Sequence, residues 1–271
     1  MTRPRLFANH AHVFPKEVKE NGTIDKLKEL MEGCGIEKVV AFAPFSRGNQ
    51  TQMRYPGEDQ NVWLAEQIKN EPNIVGFGTV DFTKDNLAEQ AEQIASLGLL
   101  GIKLHPAHQE FKVNGSKAFS LYEAAERLGL FLSFHTGVHY HRLSDYTMLL
   151  FDDISYSFPK LRYSMEHLGG YSFFREGVAV MSNSQRDREN PRVFAGWTSI
   201  YSPGQWYLTD EELCNLVLIT RENAHIFGLD FPYTDVEKMN IAIDRIMHLP
   251  ISDSAKEKIL GGNLRRVLNI D

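Results

Sequence analysis

The stretch Leu6-Phe7-Ala8-Asn9-His10-Ala11-His12-Val13-Phe14 is apolar, has the pattern of a β-strand, and carries two histidines one residue apart. Successive side chains of a strand point to opposite faces, so residues two positions apart share a face. We therefore expect His10 and His12 to lie together and to bind one metal ion.

Four more residues of the kinds that bind metals end later apolar runs, and these are His105, His135, His167 and Asp230. A single histidine near the end of a strand is more often a structural residue than a ligand. Repetition over several strands is different, because a parallel barrel assembles its active site from the carboxyl ends of its strands. The pattern indicates a metal-dependent enzyme.

The expected ligands are three imidazoles and one carboxylate, supplied by His10, His12, His135 and Asp230. Such a set suits Zn²⁺, with Mn²⁺ and Fe²⁺ as alternatives, and it leaves a position for water or substrate. We therefore predict one divalent metal ion as the cofactor, with zinc as the first choice.

Strand-like and helix-like segments alternate along the whole chain. The predicted strands are 6–13, 38–45, 74–82, 101–106, 131–137, 162–168, 192–199 and 225–232. Amphipathic helices are predicted between them, at 23–31, 86–97 and 120–128 among others, with a final helix at 253–269. Gly35, Gly98 and Gly129 follow three of these helices, where a residue with positive φ commonly ends a helix.

Strands that alternate with helices pair in parallel. Eight such units favour a (β/α)8 TIM barrel, with allowance for local distortion and an extra C-terminal helix, over an open doubly wound sheet. The open sheet would carry a glycine-rich phosphate loop after its first strand, but here that strand ends in His10-Ala11-His12. With neither a linker nor a repeat in the sequence, residues 1–271 are predicted to form one domain.

Composition narrows the class of partner. The 271 residues are 42% hydrophobic and 24% charged, with a formal net charge of −6. This balance argues against nucleic acid and anionic membranes as partners. Cys34 and Cys214 show no metal or redox spacing, and no targeting or transmembrane segment is expected. We predict reduced thiols, a cytoplasmic location and a small-molecule substrate.

The chain resembles the amidohydrolase superfamily, and within it the branch of aminocarboxymuconate-semialdehyde decarboxylase and the resorcylate-type decarboxylases. The motifs that carry the resemblance are His10-Ala11-His12, Gly101-Ile102-Lys103-Leu104-His105-Pro106, Phe134-His135-Thr136-Gly137, His167-Leu168-Gly169-Gly170, Phe227-Gly228-Leu229-Asp230-Phe231-Pro232 and Ile259-Leu260-Gly261-Gly262-Asn263-Leu264-Arg265-Arg266-Val267-Leu268. Each motif is short, but their order and spacing are specific and span nearly the whole chain.

The resemblance implies that His10, His12, His135 and Asp230 bind one divalent metal, and that His167 supports the ligands or contacts the substrate. Binuclear branches bridge two metals with a carboxylated lysine on the fourth strand, where Lys103 lies. Because His105 lies nearer the end of that strand, we favour a mononuclear site. Lys103 then has a structural or ion-paired role inside the barrel, or binds substrate. Related barrels are often dimers through their outer helices, which makes a homodimer a candidate, but no surface in the sequence identifies it.

Two reactions use the same ligands. In hydrolysis, water activated by the metal and by Asp230 attacks a carbonyl, and His167 or His105 stabilises the oxyanion. In non-oxidative decarboxylation or hydration, the metal holds the carboxylate of the substrate and an acid protonates the carbanion carbon. Hydrolysis is our first expectation. A barrel that binds metal without turnover is a third hypothesis, against which the complete ligand set argues.

Several polar residues are candidates for substrate binding. The loop after the second strand carries Arg47 and Arg54, whose forked guanidinium groups could bind a carboxylate. His139 follows the fifth strand and could line the pocket or act as a general acid, and His108 has a similar position after the fourth strand. Each could equally be a surface or capping residue. Glu166 is expected to face the helices, because its neighbour His167 should face inward.

Trp197 and His225 complete the candidates. Trp197 follows the seventh strand and could form a wall of the pocket, although a tryptophan there is more often a packing residue. His225 is expected to have a structural role or to be exposed.

Overall fold

Eight parallel strands close into a barrel in chain order, with β1 beside both β2 and β8. The computed structural model describes residues 4–46, 55, 57–185 and 187–271. The strands are β1 (Leu6–His12), β2 (Ile36–Phe42), β3 (Ile74–Gly78), β4 (Gly101–Leu104), β5 (Phe131–His135), β6 (Arg162–Glu166), β7 (Val193–Trp197) and β8 (His225–Phe231). The predicted (β/α)8 barrel is confirmed.

Helices surround this barrel. They are α1 (Ile24–Cys34), α2 (Gln60–Ile68), α3 (Leu87–Ser96), α4 (Pro106–Gln109), α5 (Ser116–Leu128), α6 (Leu150–Ser157), α7 (Gly170–Ser184), α8 (Asp210–Thr220), α9 (Val236–His248), α10 (Asp253–Glu257) and α11 (Asn263–Leu268). Within the described residues, none of the helices is long and apolar enough to cross a membrane. The positive φ angles expected at Gly35, Gly98 and Gly129 are confirmed.

The continuous final helix predicted at 253–269 is wrong in detail. A π-helical segment, Lys258–Gly262, separates α10 from α11. At Gly261 a Cβ atom would lie 2.7 Å from the backbone oxygen of Arg5 and 2.8 Å from the nitrogen of Phe7. The chain therefore passes directly under β1, which explains both the glycine and the break in the helix.

The floor of the barrel is a separate apolar cluster. Its strand residues are Phe7, Val40, Phe42, Phe77, Phe131, Phe194 and Ile226, and α11 adds Leu264, Val267 and Leu268. Because α11 covers the amino-terminal end of the strands, the carboxyl-terminal end is the face left for a site, as barrels of this kind require.

His225 lies outside the barrel interior and has the structural role that the sequence suggested. The Trp197 indole Nε1 donates to His225 Nδ1 over 3.1 Å. His225 Nε2 then carries the proton and donates to Thr220 Oγ1, also at 3.1 Å. Trp197 is fully buried in this packing, so it forms no wall of the pocket.

Burial lowers the pKa of His225 to about 3. Because the unfolded value is near 6.5, the neutral side chain stabilises the fold above pH 6.5, and this contribution is lost as pH falls toward 3. We predict that His225→Leu is less stable than the wild type at pH 7 by about 1–3 kcal/mol, since the Trp197 N–H loses its acceptor.

The difference in unfolding free energy between the wild type and His225→Leu should shrink by about 2 kcal/mol between pH 7 and pH 5. At pH 5 the imidazole is protonated in the unfolded wild type but not in the folded protein, which favours unfolding, and the leucine variant has no such group. Urea denaturation of both proteins at the two pH values measures it. A difference that stays constant with pH would contradict the assigned tautomer and burial.

Candidate metal centre and active site

A cavity of about 310 Å³ opens at the carboxyl-terminal end of the barrel. Its lining residues are His10, His12, Phe14, Phe45, His105, His108, His135, His139, Tyr140, His167, Gln205, Trp206, Asp230 and Tyr233. The histidines and the aspartate singled out at the strand ends are therefore brought together, with His108 and His139 beside them. Five of the remaining six lining residues carry aromatic side chains, and the sixth is Gln205.

His10, His12 and Asp230 form the centre of this site. Within the described parts of the chain, they are the one group of three or more potential ligands whose atoms lie within 4.8 Å of one another. The Nε2 atoms of the two histidines are 3.1 Å apart, and His10 Nε2 is 3.5 Å from Asp230 Oδ1. Burial holds the pKa of both imidazoles well below 6.5, so they are neutral, as metal ligands must be.

Simple alternation along β1 does not produce this arrangement. Phe7 and Asn9 already face the barrel interior, so regular alternation would turn His10 and His12 outward. Instead His10 has φ 70°, and the pairing with β2 shifts register between Ala8 and Ala11. This bulge exchanges the two faces of the strand. The predicted convergence of the histidines is correct, but its cause is a local distortion.

His135 ends β5 and is buried. Its Nε2 has no hydrogen-bond partner among the described residues, an uncommon state for a buried polar atom. The ring stacks on His105 with centroids 3.8 Å apart and lies 4.8 Å from the ring of His167. His135 lines the same cavity as His10, His12 and Asp230, but it is outside the group whose ligand atoms lie within 4.8 Å of one another. Its unpaired nitrogen is nevertheless a donor that a divalent ion in this cavity could use.

Asp230 is held on its outer side by Ser199, whose Oγ donates to Asp230 Oδ2 over 2.5 Å. Oδ1 is left to face His10. Burial raises the pKa of Asp230, while the Ser199 hydrogen bond and the charge of Lys103 lower it. Both Asp230 and Ser199 have positive φ, so two strand ends bend to bring this pair together.

Glu166 does not face the helices, and that expectation is wrong. It is fully buried inside the barrel and accepts a hydrogen bond from His10 Nδ1 at 3.0 Å. His167, the next residue, has φ 62°, and this turn lets both neighbours point inward. No periodic pattern in the sequence signals such a turn.

Lys103 lies beneath the site. It is fully buried, and its Nζ is 3.3 Å from His10 Nε2. Burial lowers the pKa of Lys103 to about 8, against the raising effect of Glu166 and Asp230. Lys103 is not among the residues that line the cavity, which favours the predicted structural role over direct contact with substrate.

Hydrogen bonds define the tautomers of two more site histidines. His167 Nδ1 donates to the backbone oxygen of Thr198 over 2.8 Å, so its Nε2 carries a free lone pair. His105 Nδ1 instead accepts from the backbone N–H of His108 over 3.2 Å, so its Nε2 carries the proton. Burial lowers the pKa of His167 to about 4 and that of His105 well below 6.5. One of these rings is thus an acceptor and the other a donor.

Trp206 forms a wall of the cavity that the sequence analysis missed. Its indole stacks on His167 with centroids 4.7 Å apart and meets the edge of His135 at 5.3 Å. Gly137 and Gly170 have φ 93° and 59°, and a Cβ atom on either would lie 2.3 or 2.8 Å from the indole. The two glycines in the recognised motifs therefore make the slot for this ring, which was the available signal.

The remaining candidates divide into two groups. His139 and His108 line the cavity, and the distance between the ring centroids of His105 and His139 is 4.7 Å. Arg47 and Arg54 lie outside the described residues, and their predicted contact with a carboxylate stays a prediction.

The sequence profile of the amidohydrolase family matches residues 10–270, so the chain belongs to this family and is an enzyme of the amidohydrolase superfamily. This confirms the resemblance carried by the strand-end motifs. No curated protein matches the sequence.

Solved structures share the barrel over its whole length. One is 5-carboxyvanillate decarboxylase from Sphingomonas paucimobilis, 16% identical over 98% of this chain and 99% of the other, with a TM-score of 0.71. Another is dihydroxybenzoic acid decarboxylase from Polaromonas sp. JS666 with bound manganese and 2-nitroresorcinol. It is 14% identical over 98% of this chain and 97% of the other, with a TM-score of 0.72. A third is a probable 2-pyrone-4,6-dicarboxylic acid hydrolase from Acinetobacter baumannii. It is 13% identical over 98% of this chain and 100% of the other, with a TM-score of 0.66. At these identities the likeness shows the common fold.

The position of Trp206 predicts a spectroscopic response to metal. Because the indole packs on His135 and His167, we expect Co²⁺ added to the metal-free protein to quench the fluorescence of Trp206. Trp206→Phe should lose most of the quenching. Trp63→Phe is the matched control, since Trp63 lies on α2 beside Tyr55, and it should retain the response. Equal quenching in all three proteins would contradict this geometry.

Proposed function

We propose that the protein is a metal-dependent hydrolase of a small, carboxylate-bearing molecule. The observation that carries the proposal is the position of Asp230. One carboxylate oxygen faces the two histidines of β1, the other is fixed by Ser199, and burial raises the pKa of the group. A carboxylate with a raised pKa is a better general base at neutral pH than an ordinary one.

The proposed ligands are His10, His12, His135 and Asp230, and the proposed ion is Zn²⁺, with Mn²⁺ or Fe²⁺ as alternatives. A divalent ion bound there supplies Lewis acidity and lowers the pKa of water at the site to about 7. The neutral imidazoles, the unpaired Nε2 of His135 and the free oxygen of Asp230 support this assignment.

The tautomers of His105 and His167 give these two histidines different roles. In hydrolysis, Asp230 takes a proton from the attacking water as the new carbon–oxygen bond forms and the carbonyl π bond opens to an oxyanion. When the oxyanion collapses, the bond to the leaving group breaks, and Asp230 returns the proton to that group. His105 Nε2–H is the donor that stabilises the developing oxyanion, since its Nδ1 is occupied by the His108 N–H. His167 Nε2 can only accept while the ring is neutral, so it holds a hydroxyl or water of the substrate complex.

The walls of the cavity favour a flat substrate. Phe14, Phe45, Trp206 and Tyr233 surround the histidines, and an opening of about 310 Å³ accommodates a molecule of one ring. Among the described lining residues there is neither arginine nor lysine. Arg47 and Arg54 therefore remain the proposed carboxylate-binding groups, with His139 as a further polar contact.

Decarboxylation is the second candidate, and the aromatic walls favour it. A cavity walled by aromatic rings, with Trp206 stacked on His167, suits an aromatic acid, and two proteins of the same fold are decarboxylases. In this reaction the bond between ring carbon and carboxylate breaks, and the carbon takes up a proton. The same ligands serve both reactions, so products must separate them.

A substrate screen decides between the two reactions. The purified, metal-loaded protein is offered lactones, esters and amides of ring carboxylic acids, and separately aromatic and muconate-type acids. Hydrolysis appears as net acid formed without CO₂, whereas decarboxylation releases CO₂. Hydrolysis of one class without CO₂ supports the first proposal, and CO₂ release replaces it with the second.

Asp230→Asn tests the assigned base. The amide fills the same space but cannot take up a proton, so we expect turnover to fall by at least 10³-fold while the fold is retained. Ser199→Ala is the matched control, because it removes only the hydrogen bond to Oδ2, and its loss should be far smaller. Steady-state rates and circular dichroism measure both variants. An Asp230→Asn protein with near-native turnover would refute the mechanism.

The predicted small-molecule partner, the homodimer and the cytoplasmic location are parts of this proposal. The net charge of −6 supports the absence of nucleic acid among its partners.

A further inference from the structure

The carboxylate of Glu166 accepts hydrogen bonds from five side chains inside the barrel. Oε1 accepts from Asn9, Ser133 and Ser164, and Oε2 accepts from His10 and Thr198. The Thr198 Oγ1 bond is 2.6 Å long and the His10 Nδ1 bond 3.0 Å. Five groups thus converge on two oxygens in a fully buried position.

This pattern determines the proton positions around Glu166. The NH₂ group of Asn9 can only donate, and the hydroxyls and the imidazole can donate, so all five contacts are hydrogen bonds when the carboxylate is ionised. His10 must then carry its proton on Nδ1, because a proton there faces Oε2. The lone pair on His10 Nε2 is left facing His12 and Asp230.

The space around Glu166 is built for the carboxylate. At Gly196 on β7 a Cβ atom would lie 2.5 Å from Glu166 Cδ. At Gly228 on β8 a Cβ atom would lie 2.0 Å from Thr198 Oγ1 and 3.3 Å from His10 Cβ. Side chains at these two inward positions would displace either the carboxylate or its partners.

We propose that Glu166 is a positioning residue of the metal centre: it fixes the tautomer and the ring orientation of His10, so that His10 Nε2 is presented to the metal. The inference rests on the proposed metal centre. Outer partners of this kind on a ligating histidine typically change metal affinity 10- to 100-fold. Oε2 is the oxygen that contacts His10. Oε1 accepts hydrogen bonds from side chains of β1, β5 and β6 and so links these strands.

Glu166→Gln is the direct test. Either amide orientation removes the charge, and an NH₂ group facing His10 would force the imidazole proton onto Nε2, where it blocks the lone pair. We expect zinc affinity, measured by competition with a chromophoric chelator, to fall 10- to 100-fold. Ser164→Ala is the matched control, because it removes a donor to Oε1 and leaves the His10 contact, so its zinc affinity should stay within about threefold.

The outcomes separate the two proposals. If the wild type binds no zinc, the proposed metal centre itself is wrong. A wild type that binds zinc, with a folded Glu166→Gln variant of equal affinity, overturns the role of Glu166 alone. Equal losses in Glu166→Gln and Ser164→Ala also overturn it, since they would report general loosening of the barrel.

A second measurement covers a Glu166→Gln protein that fails to fold. In the metal-free wild type, where no ion fixes the tautomer, ¹⁵N-imidazole spectra should show His10 protonated at Nδ1, with its signals identified by their loss in His10→Gln. A merely structural glutamate would not constrain this tautomer. A His10 proton on Nε2 would refute the proposal.

Discussion

The rest of the site depends on the hydrogen bonds that surround the buried carboxylate of Glu166. An anion inside an apolar barrel is tolerated only when donors surround it, and here the donors come from β1, β5, β6 and the residue after β7. The same contact that satisfies the anion orients His10. Packing of the barrel and geometry of the candidate metal centre are therefore set by one group.

Residues with positive φ bend the chain at or near the ends of four strands of the barrel. His10, His167, Ser199 and Asp230 all have positive φ, a conformation that non-glycine residues adopt at a cost and that clusters at functional sites. Each bend turns a polar side chain into the mouth of the barrel. The hydrogen bonds from Ser199 to Asp230 and from His167 to Thr198 hold the bent ends in place.

The alternation of strands and helices made the barrel predictable, because periodicity is a local property of the sequence. The strand-end histidines and Asp230 were predictable for the same reason, since a barrel gathers strand ends at one face. The inward position of Glu166 was not predictable, because it depends on a left-handed residue at position 167 that period-two reasoning does not contain. Trp206 was missed because its place depends on tertiary packing between two glycines on other segments.

The central claim is that His10, His12, His135 and Asp230 hold a single divalent ion. Plasma mass spectrometry of the purified protein, beside a His10→Gln/His12→Gln variant, tests it most directly. The account predicts about one equivalent of zinc, manganese or iron per chain in the wild type and almost none in the variant. Equal metal content in the two proteins, or none in a wild type purified without chelators, would contradict it.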